Sequence, residues 1–189
     1  FAYILLKLTS AMNIKKNMYN DRLSGLLSSF GFEARVRDLL KKSNDSYFIV
    51  DYEVVKFKEY NTAYGVDNGD ALLCHVANRI KRNFTGDEYA ARVYAGHFVT
   101  IIAANSLHTV IGRIKKMGNI IDSPLPDVTV ALKYGIYRVD DQSIPVKTMI
   151  DRAISARQSI KEFSDACFAV YDEEMHQRSI EDASIISYM

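Results

Sequence analysis

The chain has 189 residues, 48% apolar and 25% charged, enough apolar material for one core and far from the disordered, collagen-like and disulfide-scaffold classes. Lys and Arg number 24 against 23 Asp and Glu, a formal net charge of +1, so no general field gathers nucleic acid or an anionic membrane surface around it. Cys74 and Cys167 lie in apolar stretches with no second Cys or His at ligand spacing, which reads as two buried thiols of a reducing, cytoplasmic compartment and excludes structural zinc.

The opening run Phe1 to Leu6 is broken by Lys7, far short of the roughly 20 apolar residues a membrane-spanning helix needs. A chain beginning with Phe1 reads as a fragment, with this run as the end of a helix from a preceding sensor or membrane segment. Phe1, Leu5, Leu8 and Met12 recur at steps of four, three and four, so residues 1–20 are expected to form an amphipathic lead-in helix. Phe32, Val36, Leu39 and Leu40 predict a second helix ending in the turn Ser43-Asn44-Asp45-Ser46. Tyr47 to Tyr52 reads as a strand, followed by a helix through Phe57 and Tyr60 that stops near Gly65. Asp70 precedes a 3.6-period stripe of Leu72, Leu73, Val76, Ala77 and Ile80.

Beyond Gly86, the runs Tyr89 to Val93 and Phe98 to Ala104 flank a turn at Tyr94-Ala95-Gly96, a β-hairpin. Leu107, Val110, Ile111 and Ile114 predict a helix, Val128 to Tyr137 a long strand, and Pro145 opens a helix through Met149, Ile150, Ala153 and Ile154. Phe168 to Tyr171 is a last strand before a polar terminal helix. Strands alternating with helices around one hairpin predict an α/β fold, a central mixed sheet flanked by helices.

Several ordered motifs between Asp21 and Tyr171 carry a resemblance. Asp21-Arg22-Leu23-Ser24-Gly25-Leu26 resembles D-x-L-T-G-L; Phe57-Lys58-Glu59-Tyr60-Asn61 resembles F-K-x-I-N; Gly65 with Gly69-Asp70 resembles G-H-x-x-G-D; Asp151 and Ala153 resemble A-D-x-A-L. In this order and spacing the chain resembles the GGDEF domains, whose active members make cyclic di-GMP from two GTP. The resemblance implies a GGDEF-type fold over 21–171, with 172–189 a connecting helix toward a domain such as an EAL phosphodiesterase, or simply a terminal helix.

The signature itself is altered: where active members carry Gly-Gly-Asp-Glu-Phe, this chain reads Tyr94-Ala95-Gly96-His97-Phe98. Attack of a 3′-hydroxyl on an α-phosphate requires Mg²⁺, which takes hard oxygen ligands. By the resemblance, the strand carboxylate falls on Glu53 and the hairpin carboxylate on Gly96, which has none. Glu53 alone would hold Mg²⁺ weakly and reads first as a solvated strand-end acid. His97 cannot replace a hard anionic ligand and reads as a turn or strand histidine. Tyr94 stands where a bare backbone would approach phosphates.

The second strand Asp of the family falls on Val55, and the Lys and Arg of its late A-K-x-x-G-R segment fall on Gln158 and Glu162. The feedback motif R-x-x-D aligns with Thr85-Gly86-Asp87-Glu88, without its arginine. The base-reading pair survives as Asn61 and Asp70, an amide and a carboxylate suited to the guanine edge. Asp70 also reads as a helix N-cap and Asn61 as a helix-end residue. His75, His108 and His176 form no constellation with a nucleophile, and the basic pairs Lys15-Lys16 and Lys41-Lys42 read as solvated helix surface. The expectation is a catalytically silent GGDEF domain, regulatory or GTP-sensing, acting on a linked EAL or sensor domain and able to pair as a homodimer. A weakly active cyclase and a pure dimerisation scaffold are the alternatives.

Overall fold

The computed structural model describes residues 18–161 and 166–173. The lead-in helix expected over 1–20 (apart from helical Met18 and Tyr19), Glu162, His176 and the helix expected beyond Glu173 lie outside them.

The first complete helix, α1 (Ser29–Leu40), starts where the Ser28 hydroxyl accepts from the Gly31 amide at 3.1 Å. It leads into β1 (Tyr47–Val54), the central strand. Helices α2 (Phe57–Tyr64) and α3 (Val66–Lys81) follow, meeting at Gly65 with φ of +87°, a left-handed conformation that glycine adopts without Cβ strain. The hairpin is β2 (Tyr89–Tyr94) and β3 (His97–Ala103). Then come α4 (Leu107–Met117), the short β4 (Ile120–Asp122), β5 (Thr129–Arg138), α5 (Val146–Gln158) and β6 (Phe168–Val170).

The sheet runs β2-β3-β1-β5-β4, with β6 also on β5; among these described strands β5 and β6 pair parallel and the other pairs are antiparallel. The expected elements are present within a few residues. β4 has no counterpart in the sequence reading, because three residues show no period. Pro145 sits at the N-cap of α5, one residue before the first turn.

Both sheet faces are covered, and β1 shows why its run is nearly continuous in apolar residues. Phe48, Val50, Tyr52 and Val54 pack with α3 and α4 around Leu72, Leu73, Val76, Ile80, Val110 and Ile114. Tyr47 and Ile49 face the other way, onto Phe32 and Val36 of α1 and Met149, Ile150 and Ala153 of α5. Each fully buried large side chain contributes about 1.5–3 kcal/mol by leaving water. Helix α5 lies close on β5 because position 135 is glycine: a Cβ there would stand 1.9 Å from the Ala153 carbonyl oxygen and 2.7 Å from the Arg157 nitrogen. That approach sets where the end of α5 meets β1.

Two expectations are corrected. Asp70 is not an N-cap: α3 begins at Val66 with Gly65 as its cap residue, so Asp70 lies one turn inside the helix, half-buried. Gly65 ends α2 and starts α3, a sharp corner that leaves no linker for a capping Asp. Cys74 and Cys167 are free but half-exposed, each on the margin of its apolar stretch.

Candidate functional site

Strand periodicity decides which acids meet. Asp51 and Glu53 are two apart on β1, so both point to the α5 face, past Ile49. On α5, the buried positions Val146, Met149, Ile150, Ala153, Ala156 and Arg157 follow helical spacing, so Arg157 continues the inward stripe one turn after Ala153. Its Nε donates to Asp51 Oδ2 at 2.5 Å and its Nη1 donates to Glu53 Oε2. The Arg157 side chain is 6% exposed, that of Asp51 1% and that of Glu53 30%. Burial pushes the Asp51 carboxyl up to about 6 against the pull of the guanidinium, and its Oδ1 is buried without a hydrogen-bond partner.

In the sheet register Glu53 lies between His97 of β3 and Lys133 of β5. His97 Nε2 is 3.7 Å from Glu53 Oε1. Burial, aided by Arg157, holds the imidazole below its ordinary range despite Glu53, so His97 is neutral at pH 7. Tyr94 stacks on it with ring centroids 4.3 Å apart, its own ring largely exposed. Glu53, Tyr94, His97, Lys133, Arg157 and Gln158 line an open cleft of about 450 Å³.

The hairpin loop is two residues, Ala95 and Gly96. Ala95 carries φ of +40°, a left-handed value costly for a residue with a Cβ, whereas Gly96 does not have positive φ. Gly96 is buried, and a Cβ there would meet Val54 Cβ and Phe57 Cβ at 3.1 Å. Phe57 packs on the core from α2, and Phe98 is fully buried. The turn is braced from the opening motif: Asp21 Oδ1 accepts from the Ser24 amide (2.8 Å) and hydroxyl (2.6 Å), while Asp21 Oδ2 accepts from Arg92 Nη1 at 2.8 Å. Arg92 Nε in turn donates to the Ala95 carbonyl at 3.0 Å. Burial works against the Asp21 carboxylate, but these bonds keep its pKa below the ordinary value.

At the other end of the surface, Asn61 of α2 lies against Gly69 of α3. A Cβ at position 69 would sit 1.8 Å from Asn61 Oδ1, so only glycine leaves the amide its place, one residue before Asp70. Asn61 Oδ1 is buried with no partner. Lys58 is exposed on the first turn of α2. The residues Thr85 and Glu88 turn out to bond each other: Glu88 Oε2 accepts from the Thr85 amide at 2.9 Å, and Glu88 Oε1 pairs with Arg113 Nη1 at 2.5 Å.

The residues aligned with the resemblance's metal ligands do not fit a divalent ion. Mg²⁺ demands near-octahedral oxygen ligation, usually with one or two carboxylates. Here Glu53 is engaged by Arg157, position 55 is Val, and position 96 has no side chain and little room for one. Asp51, Lys133 and Arg157 were not singled out from sequence. The usable signals were the shared face of Asp51 and Glu53 and the place of Arg157 four residues after Ala153.

A mixed sheet with helices on both faces, and an ordered set of motifs gathered at the hairpin and the α2–α3 corner, define a nucleotidyl-cyclase-like domain. The diguanylate cyclase GGDEF domain family matches residues 18–165, and the chain belongs to that family. An uncharacterized signaling protein of Caulobacter vibrioides is 23% identical over 168 residues, 82% of this chain and 20% of that protein, so the chain spans about a fifth of that relative's length. The fold matches the coiled coil and GGDEF domain of DgcB from Caulobacter crescentus, solved with c-di-GMP, at a TM-score of 0.75 and 14% identity, covering 89% of this chain and 94% of that one. It also matches the S helix-GGDEF-EAL portion of Vibrio cholerae LapD, bound to c-di-GMP, at a TM-score of 0.67 and 16% identity, covering 95% and 45%.

Proposed function

We propose that this domain is a catalytically silent member of the GGDEF family, a regulatory module that senses guanine nucleotide in the cytoplasm for a linked domain in cyclic di-GMP signalling. The observation carrying this reading is the hairpin turn. Gly96 offers no carboxylate and is packed against Val54 and Phe57, so the phosphate end of a nucleotide meets no metal-binding pair there. Gln158 supplies no cation, and the sequence places Glu162 where the family has an arginine.

Guanine sensing is supported by the α2–α3 corner. Asn61 Oδ1 is a buried acceptor without a donor, and guanine presents N1–H and 2-amino donors to an amide and a carboxylate such as Asp70. Phe57 and Lys58 begin the helix that carries Asn61. A route to a linked domain is supported at the chain's exit, where Tyr171 meets Tyr137 edge-on at 5.6 Å and Arg152 of α5 lies 5.4 Å from the Tyr171 ring centroid. The likeness to a GGDEF-EAL protein and to a coiled-coil GGDEF protein supports an EAL partner and pairing of two copies.

Two measurements test the reading. Chromatography of GTP incubated with the protein and Mg²⁺ or Mn²⁺ should show no cyclic di-GMP; enzyme-dependent product lost on Glu53→Ala would overturn silence. Calorimetry should find weak binding of GTP and GDP over ATP, nearly independent of Mg²⁺. No binding up to millimolar GTP would replace the sensor with a scaffold.

A further inference from the structure

We infer that the Arg157 guanidinium is a tethered cation that takes the electrostatic place of a divalent ion at the end of β1, so that this domain's cleft refuses metal by construction. The inference deepens the silent-site proposal and rests on its assignment of Glu53 as the surviving strand carboxylate. Position 157 is where the A-K-x-x-G-R segment places alanine, and here it carries a long cation on the buried stripe of α5. Gly135 lets α5 lie close enough on β5 for the guanidinium to reach both Asp51 and Glu53.

The geometry separates this from an ordinary surface ion pair. The guanidinium is 6% exposed and spans two carboxylates that share one strand face, one of them 1% exposed. A fixed charge inside the protein is not diluted away or chelated, and it occupies Glu53 Oε2, so a hard cation entering the cleft would meet Oε1 alone beside an existing positive charge. The neighbours from every packed element agree. Among the described residues, the cleft is lined besides Glu53 by Tyr94 and His97 of the hairpin, Lys133 of β5, and Arg157, Gln158 and Ile160 at the end of α5, none of them a carboxylate. Asp51 Oδ1, buried and without a partner, is an acceptor that Arg157 leaves over and that a small cation in its place could use.

The test is a Mn²⁺ titration of the wild-type protein, Arg157→Ala and Arg157→Lys, read by electron paramagnetic resonance of free Mn²⁺ and by thermal melting. Wild type and Arg157→Lys should bind no Mn²⁺ stoichiometrically and melt at the same temperature with or without it. Arg157→Ala should melt lower than wild type in chelator and recover on the order of 5 °C at saturating Mn²⁺, or fold only when Mn²⁺ is present. Stoichiometric Mn²⁺ binding by wild type overturns the inference, whatever the variants do. So does an Arg157→Ala protein, folded or not, that is indifferent to Mn²⁺. The outcome is independent of the product assay: metal binding by wild type without cyclic di-GMP would remove this inference and leave the silent domain standing, and product without bound Mn²⁺ would do the reverse.

Discussion

Restoring the hairpin signature alone should not restore a cyclase. The quadruple variant Tyr94→Gly, Ala95→Gly, Gly96→Asp, His97→Glu rebuilds the turn in sequence. Its fold should survive with a modest net loss of stability, one gain standing against three costs. Glycine at 95 relieves a left-handed φ of +40°, whereas losing the Tyr94–His97 stack costs about 0.5–1.5 kcal/mol. Asp at 96 must displace Val54 and Phe57 by a few tenths of an ångström, and Glu at 97 sets a like charge directly opposite Glu53.

Chemistry should still fail, because Arg157 keeps hold of Glu53 and Gln158 presents no charge to the triphosphate. One missing charge-assisted hydrogen bond is worth about 1.5–3 kcal/mol, roughly ten- to a hundredfold in rate. The engaged strand carboxylate multiplies that loss. The assay is chromatographic detection of cyclic di-GMP from GTP with Mg²⁺, beside a six-site variant that adds Arg157→Ala and Gln158→Lys. Strong activity in the quadruple variant would refute the reasoning, since the turn would then have been the sole defect. Activity in the six-site variant alone would confirm that β1 and α5 hold the rest.

Ala95→Gly by itself should stabilise the protein by about 0.5–1 kcal/mol, the strain of a left-handed alanine less the added entropy of an unfolded glycine, measured by urea denaturation. Gly69→Ala should abolish selectivity for GTP over ATP in calorimetry, since its Cβ would stand 1.8 Å from Asn61 Oδ1 and must expel the amide; unchanged selectivity would show that Asn61 does not read the base. Asp51→Asn tests the buried carboxyl through pH. A folded pKa raised from 3.8 to about 6 means the native state binds the extra proton, so this group's stabilisation is full below pH 4 and lost as pH rises through 6. Wild-type stability relative to Asp51→Asn should therefore fall by roughly 2 kcal/mol between pH 4 and 7, and a rise over that window would reverse the assignment.

Local pattern carried much of this protein. The β-prone run at Tyr47, the 3.6-residue stripe from Leu72 to Ile80 and the hairpin around Tyr94 to Gly96 were each legible, because such runs, stripes and turns are set by neighbouring residues whatever they pack against. That the signature positions read Tyr94-Ala95-Gly96-His97-Phe98 is likewise a matter of letters. Asp70 misled because a short polar residue before an apolar stripe looks the same whether the helix starts there or at Val66; only the α2–α3 corner at Gly65 decides between them. Arg157 lies more than 100 positions along the chain from Asp51 and Glu53. Their meeting depends on β1 lying beside β5, on α5 crossing that sheet, and on Gly135 having no Cβ to hold the helix away. No period or propensity encodes that approach, which is why the cation at the centre of the cleft became visible only in three dimensions.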